Sequence, residues 1–150
     1  MPGRELDHVG TASEDALDAA SAEIASRELH VETSLEPARI LGDRVLIERL
    51  VGNLVDNAVR HNVAGGALEL RTLAHNGTAA MTISNTGPVL DPALIPTLFD
   101  PFARAERVHS TDGVGLGLSI VEAIAISHGA TVTTRPNPDG GLEVSVIFPS

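Results

Sequence analysis

Apolar residues recur in two rhythms along this chain, and the rhythms divide it into elements. From Asp43 to His61 apolar pairs return every four residues, as Leu46/Ile47, Leu50/Val51, Leu54/Val55 and Ala58/Val59. That spacing draws one wide stripe along a helix, and Asp43 stands where its N-cap belongs. Thr11-Ala-Ser-Glu14 has the form of a capping box, so an Ala-rich helix is expected over about Ser13–Glu28. The Ala-rich apolar run Ile120–Ile126 predicts a further helix over about 116–128. Elsewhere the period is two. Leu29–Leu35 alternates as a half-buried strand does, and Ala38–Leu41 reads as a short second strand. Ala67–Ala74 and Ala79–Ser84 form a predicted hairpin through His75-Asn76-Gly77-Thr78, since Asn-Gly suits a type I′ turn. Thr131–Arg135 and Leu142–Phe148 form another, turning through Pro136–Gly141. Residues 85–112 carry four prolines and no long periodic run, so an irregular segment with short helical pieces near Pro92–Phe99 is expected. The pattern is helices layered on a mostly antiparallel sheet, without repeats.

Charge and composition narrow the function. The 150 residues are one domain's worth of chain, with a formal net charge of -10. Twenty acidic against ten basic residues argues against a nucleic-acid groove or an anionic membrane surface as partner. All ten basic residues are Arg, which excludes a Walker A loop and a protein-kinase fold, because both need a Lys on the phosphates. Cys is absent, so disulfides, thiolate catalysis and Cys-based zinc sites are excluded. No run is long and apolar enough for a membrane helix, and no signal peptide is visible. The start, Met1-Pro-Gly-Arg-Glu5, reads as a ragged edge rather than a packing element, and a piece of a larger protein is expected.

Two polar constellations remain. On the 44–61 helix, Asn53, Asp56, Asn57 and Arg60 fall on one narrow strip opposite the apolar stripe. Asn is a mediocre helix former, yet two sit mid-helix one turn apart. Its carbonyl oxygen is a neutral, hard ligand for Mg²⁺ that does not repel phosphate. The second constellation is Gly113-Val-Gly-Leu-Gly-Leu118, whose alternate glycines are expected to turn and feed a helix N-terminus. Free backbone N–H groups and the positive end of the helix dipole suit that junction to phosphate oxygens.

Together these residues resemble the ATP-binding catalytic domain of bacterial sensor histidine kinases, in the superfamily shared with DNA gyrase, HSP90 and MutL. Asn53-Leu-Val-Asp-Asn57-Ala-Val-Arg60-His61 matches the N box, and Ile83-Ser-Asn85-Thr-Gly87-Pro88 stands at the G1 box. Leu98-Phe99-Asp-Pro-Phe102-Ala-Arg104 matches the F box, and Asp112–Val121 the G2 box. The resemblance covers roughly residues 29–149 and implies a two-layer α/β sandwich, α+β in connectivity, with a mixed, mostly antiparallel sheet against three main helices. It further implies ATP and Mg²⁺ as ligands, with Asn57 and then Asn53 at the metal. Arg60 and Arg104 become candidate phosphate contacts, and His61, Asn85 and Gly87 face the nucleotide. Gly113, Val114, Gly115, Leu116, Gly117 and Leu118 would cradle the phosphates, under a mobile lid over about 89–112.

The G1 box departs from the family pattern, in which Asp-x-Gly-x-Gly accepts a hydrogen bond from the adenine amino group. Here Asn85 holds the Asp place and Val89 the second glycine. A neutral amide binds more weakly than a carboxylate and can also donate, so weaker ATP binding and looser purine choice are expected. Relatives that activate water or a serine hydroxyl carry a Glu one turn before the metal Asn, whereas Asn53 stands there. An imidazole needs no such base, which points to a histidine acceptor. None of the six histidines is followed by Asp or Glu as the family's acceptor is, and His61 belongs to the N box. The acceptor is therefore expected on a separate helical-hairpin dimerisation domain, with residues 1–12 as a linker remnant and 13–150 as the catalytic domain. The expected parent is a membrane-anchored homodimer whose catalytic part is cytoplasmic, with a response regulator as indirect partner; the domain alone is expected to be monomeric. Two other readings stay open: a non-enzymatic nucleotide-binding module and an anti-sigma-factor type serine kinase of the same fold.

Overall fold

Asp43 begins the longest helix as its sequence predicts. Its backbone is extended (φ -81°, ψ 115°) and its Oδ1 accepts the Leu46 N–H at 3.2 Å. The structure, a computed structural model, describes residues 5–36, 38–75, 78–87 and 114–149. Within them the order is β1 (Glu5–His8), α1 (Val9–Ala19), α2 (Ser21–Ser26), β2 (His30–Leu35), β3 (Arg39–Gly42) and α3 (Arg44–Arg60). Then come β4 (Ala67–His75), β5 (Thr78–Asn85), α4 (Val114–Ser127), β6 (Thr131–Pro136) and β7 (Leu142–Phe148).

Five strands form one sheet in the order β2-β4-β5-β7-β6. Only the β2–β4 pairing is parallel, so the sheet is mixed and mostly antiparallel as expected. The β4–β5 register pairs His75 with Thr78, which leaves two residues for the loop. Asn76 and Gly77 themselves lie outside the described residues. Alternation does the packing: Ala79, Met81, Ile83 and Asn85 of β5 and Leu142, Val144, Val146 and Phe148 of β7 are buried on one face. Against that face α3 sets Ile47, Leu50, Val51, Leu54, Val55, Ala58 and Val59, all buried. The helices α1 and α4 flank α3, and Leu118, Val121, Ile124 and Ala125 complete the core from α4. Each Leu, Ile or Val side chain contributes about 1.5–3 kcal/mol on full burial, so the six on the α3 stripe anchor the helix layer to the sheet.

Three expectations are corrected. The packed unit starts before residue 13: β1 pairs antiparallel with β3, Glu5 opposite Gly42 through His8 opposite Arg39, and α1 follows at once. The single helix over 13–28 is two, interrupted at Ala20 (φ -93°, ψ 3°), and Thr11 lies inside α1 rather than capping it. The β1–β3 pairing fixes where the chain enters the helix, and that overrides the local capping signal. The second helix, α2, ends in a Schellman motif, with Glu28 N–H on the Ala25 carbonyl and Leu29 N–H on the Ile24 carbonyl. That motif puts Glu28 at φ 56°, where glycine is the usual occupant. The third correction concerns the glycines before α4 and belongs to the site.

Candidate functional site

Asn53 and Asn57 face the same way on α3, and the structure separates them from the other two residues expected on that strip. Both asparagines are half-buried. Asp56 and Arg60 are exposed and pair with each other, Arg60 Nε lying 3.2 Å from Asp56 Oδ2. Such an exposed i,i+4 pair contributes only about 0.3–0.5 kcal/mol, so Arg60 is readily diverted to a stronger anion.

The asparagines carry the most telling feature of the site. Asn57 Oδ1 and Asn53 Nδ2 are both shielded from solvent and have no hydrogen-bond partner among the described residues. Native proteins leave few buried polar atoms unmet, because each costs about 1–3 kcal/mol. One orphan is an acceptor and the other a donor, a complementary pair one helical turn apart. An acceptor suits a cation, and a donor suits the oxygen of an anion. Magnesium is a fit here: it favours hard oxygen ligands, takes few from protein and keeps phosphate oxygens and waters for the rest. Among the described residues no cluster of three His, Asp or Glu side chains could hold a metal ion. His61, one turn further on, is half-buried with Nε2 out of contact with water.

The end of β5 meets the end of α3. A Cβ built at Gly87 would lie 2.9 Å from the His61 carbonyl oxygen and 3.6 Å from Asn85 Nδ2, so only glycine lets these two segments approach so closely. Asn85 is 7% exposed, and its Nδ2 donates to the Thr86 carbonyl at 2.8 Å. Asn62 ties the same corner together. Its Oδ1 accepts the Val63 N–H at 2.9 Å and the Thr86 hydroxyl, while its Nδ2 donates to the Ala67 carbonyl at 2.8 Å. Sequence reasoning passed over Asn62; the signal was a third side-chain amide directly after the N box.

The helix α4 packs on α3 and begins at Val114. Gly115 thus joins Leu116 and Gly117 in its first turn, and the helix starts two residues before the expected 116. The first four N–H groups of a helix have no partner within it, a geometry that suits an anion without an irregular loop. Leu118, by contrast, is fully buried and serves the core. Gly113, Arg104, the F box and the lid over about 89–112 lie outside the described residues.

His128 is a second residue whose role the sequence did not show. It follows α4 in a turn but is 8% exposed. Its Nε2 accepts the Asp43 N–H at 3.1 Å, and its Nδ1 lies 2.8 Å from the Ile124 carbonyl. An acceptor at Nε2 and a carbonyl at Nδ1 fix the neutral tautomer with the proton on Nδ1. The ring therefore joins the last turn of α4 to the cap of α3.

Comparison with known proteins matches this arrangement to others. Residues 42–150 match the family described as histidine kinase-, DNA gyrase B-, and HSP90-like ATPase. The chain is 44% identical over 137 residues to the sensor protein CutS of Streptomyces coelicolor, covering 89% of this chain and 33% of CutS, so it spans about a third of that relative. Among solved structures it is similar to the mycobacterial sensor histidine kinase MprB, with a TM-score of 0.85 at 24% identity over 97% of each chain. It also aligns, with a TM-score of 0.80 at 19% identity, to the histidine kinase ThkA in complex with the response regulator protein TrrA, covering 97% of this chain and 41% of ThkA. At those identities the structural likeness speaks for the fold alone.

Proposed function

The chain belongs to the histidine kinase-, DNA gyrase B- and HSP90-like ATPase family as a catalytic domain of the sensor-kinase type, and on that premise we propose that it binds Mg-ATP beside α3 and donates the γ-phosphoryl group to a histidine on a separate domain. The observation that carries this reading is the buried acceptor of Asn57 beside the buried donor of Asn53.

Asn57 would hold Mg²⁺ through Oδ1, and Asn53 would donate from Nδ2 to a phosphate oxygen. When bound, the ion would offset charge on the phosphates. The N–H groups opening α4, which helical geometry leaves without partners inside the helix, add donors along the same polyphosphate. Arg60 can leave Asp56 for a phosphate, and by family likeness Arg104 and residues 89–112 act from the lid. The residue one turn before Asn57 is Asn53, which offers no base for water or a serine hydroxyl. A neutral imidazole needs none, since its ring nitrogen already holds a lone pair for the phosphorus.

The partners follow the same reading: a histidine-bearing dimerisation domain of the same parent, and a response regulator indirectly, as the ThkA–TrrA complex illustrates for that kinase. No helix among the described residues is long and apolar enough to cross a membrane. We place the domain on the cytoplasmic side of a membrane-anchored parent. The test is transfer in trans. The domain is mixed with the histidine-bearing hairpin domain of a CutS-type kinase, Mg²⁺ and γ-labelled ATP. Acid-labile phosphate on the hairpin is the expected result. Nucleotide binding without any transfer would favour a non-enzymatic module, and acid-stable phosphate on serine an anti-sigma-type kinase.

A further inference from the structure

The apolar stripe of α3 stops at Val59, and the turn that follows it is held by hydrogen bonds. Asn62, 8% exposed, is at their centre. Its Nδ2 and the Thr86 N–H both donate to the Ala67 carbonyl, at 2.8 and 3.0 Å. The Thr86 hydroxyl accepts the Ala67 N–H at 2.9 Å and gives its own hydrogen to Asn62 Oδ1. These three residues close a ring that joins the end of α3 to the first residue of β4 and to the residue after β5. Gly66 runs past the same ring. A Cβ there would lie 2.2 Å from Asn62 Oδ1 and 2.3 Å from Thr86 Oγ1, so only glycine fits. His61, directly before Asn62, has its N–H on the Asn57 carbonyl at 3.1 Å and its own carbonyl against Gly87. The ring therefore stands between two segments of the candidate site, the last turn of α3 and the Thr86-Gly87 step.

The amide of Asn62 has one possible orientation, because the Ala67 carbonyl can only accept and the Val63 N–H can only donate. Apolar burial is non-directional, so the α3 stripe resists lifting the helix off the sheet more than sliding it along. A closed ring of directional hydrogen bonds resists the slide. From these contacts we infer that Asn62 is a positioning residue for the nucleotide site: through the Thr86 hydroxyl it locks the end of α3, and with it Asn57 and His61, in register with Gly87. The inference rests on the Mg-ATP reading above and adds to it a residue that acts through its neighbours. The hydroxyl carries the lock because it accepts from β4 and donates to α3 at once, whereas a valine of the same shape does neither. A ligand that spans α3 and the Gly87 segment makes all its contacts together. Moving one wall by more than about 0.5 Å then weakens binding without unfolding the domain.

The test compares Thr86→Val, Asn62→Ala and Thr86→Ser with the parent domain, by urea titration and by Kd for Mg-ATP measured well below each melting temperature. Thr86→Val and Asn62→Ala are expected to unfold at lower urea and, while folded, to bind Mg-ATP about 5- to 30-fold more weakly. Thr86→Ser keeps the hydroxyl, and its Kd should stay within about twofold of the parent's. In the free domain the Asn57 side-chain amide signals should shift in Thr86→Val and return to the parent position in Thr86→Ser. A residue that only stabilised the fold would lower the urea midpoint and leave the Kd of the folded protein and the Asn57 signals unmoved. An unchanged Kd in either folded variant, or a Thr86→Ser that binds as weakly as Thr86→Val, overturns the inference while nucleotide binding stands. Were one variant unable to fold, the other carries the comparison. Were both, amide hydrogen exchange in the parent decides: slower exchange at Ala67 and Thr86 on adding Mg-ATP supports the lock, and unchanged exchange refutes it. A parent that does not bind Mg-ATP overturns both readings.

Discussion

Replacing Asn57 with alanine should raise the stability of the free domain while it removes most of the affinity for Mg-ATP. The opposed signs follow from the orphaned Oδ1, which is buried and without a partner among the described residues. In the free domain that atom is a liability, and deleting it recovers about 1 kcal/mol of desolvation cost. Alanine also exceeds asparagine in helix propensity by about 0.6 kcal/mol at an interior position such as this. The sum, about 1.5 kcal/mol, corresponds to a rise in Tm of about 3–6 °C for a domain of this length. On the ligand side, losing one oxygen that meets a charged group costs about 1.5–3 kcal/mol, or about 10- to 150-fold in Kd. Thermal melts with and without ligand read both effects in one assay. At a nucleotide concentration of 100 times the parent Kd, the parent gains about 2.7 kcal/mol from binding. A variant with a 30-fold weaker Kd gains about 0.9 kcal/mol by the same relation. Without ligand the variant melts higher, and with ligand the order inverts or closes. If Asn57→Ala melts several degrees lower than the parent without ligand, the amide is part of the protein's own framework and the metal reading fails. An equal ligand-induced shift in the two proteins would refute it equally.

Two further predictions concern framework rather than chemistry. His128→Ala removes the acceptor for the Asp43 N–H and the donor to the Ile124 carbonyl, and should cost about 2–4 kcal/mol in urea titration. Because Asp43 lies 14 residues from Asn57 on α3, about 21 Å along the helix, ATP affinity of the folded variant should stay within about twofold; a large loss would mean that the clamp reaches the site. Glu28→Gly relieves a side chain held at φ 56° in the Schellman turn and should stabilise by about 0.5–1 kcal/mol. A lower Tm would show that the side chain contributes more than its backbone strain costs.

Much of this protein was legible along the chain because the signals were local and redundant. The four-residue recurrence of paired apolar positions and the Asp43 cap defined α3 to within a residue of its ends. Strict alternation located β5 and β7, and a two-residue Asn-Gly spacer joined β4 to β5. The two asparagines stood out because an amide mid-helix runs against propensity, and a sequence tolerates that where something other than helix formation is served.

What the chain alone could not supply was every feature that depends on a distant partner. Thr11 has the form of a cap, yet α1 starts at Val9 because β1 pairs with β3, some thirty residues away. The strip of four polar residues on α3 was a correct statement of angle. Tertiary packing then half-buried Asn53 and Asn57 and left Asp56 and Arg60 to each other. His128 looked unremarkable until α4 brought it against the cap of α3, and Asn62 looked like an ordinary residue after the helix until β5 carried the Thr86 hydroxyl to it. Periodicity records which face a residue occupies, and so the sequence determined the elements and the chemistry they carry. Burial and hydrogen-bond partnership arise between segments far apart in the chain, and so only the tertiary structure decided which of those polar atoms are left to meet a ligand and which are spent holding the fold.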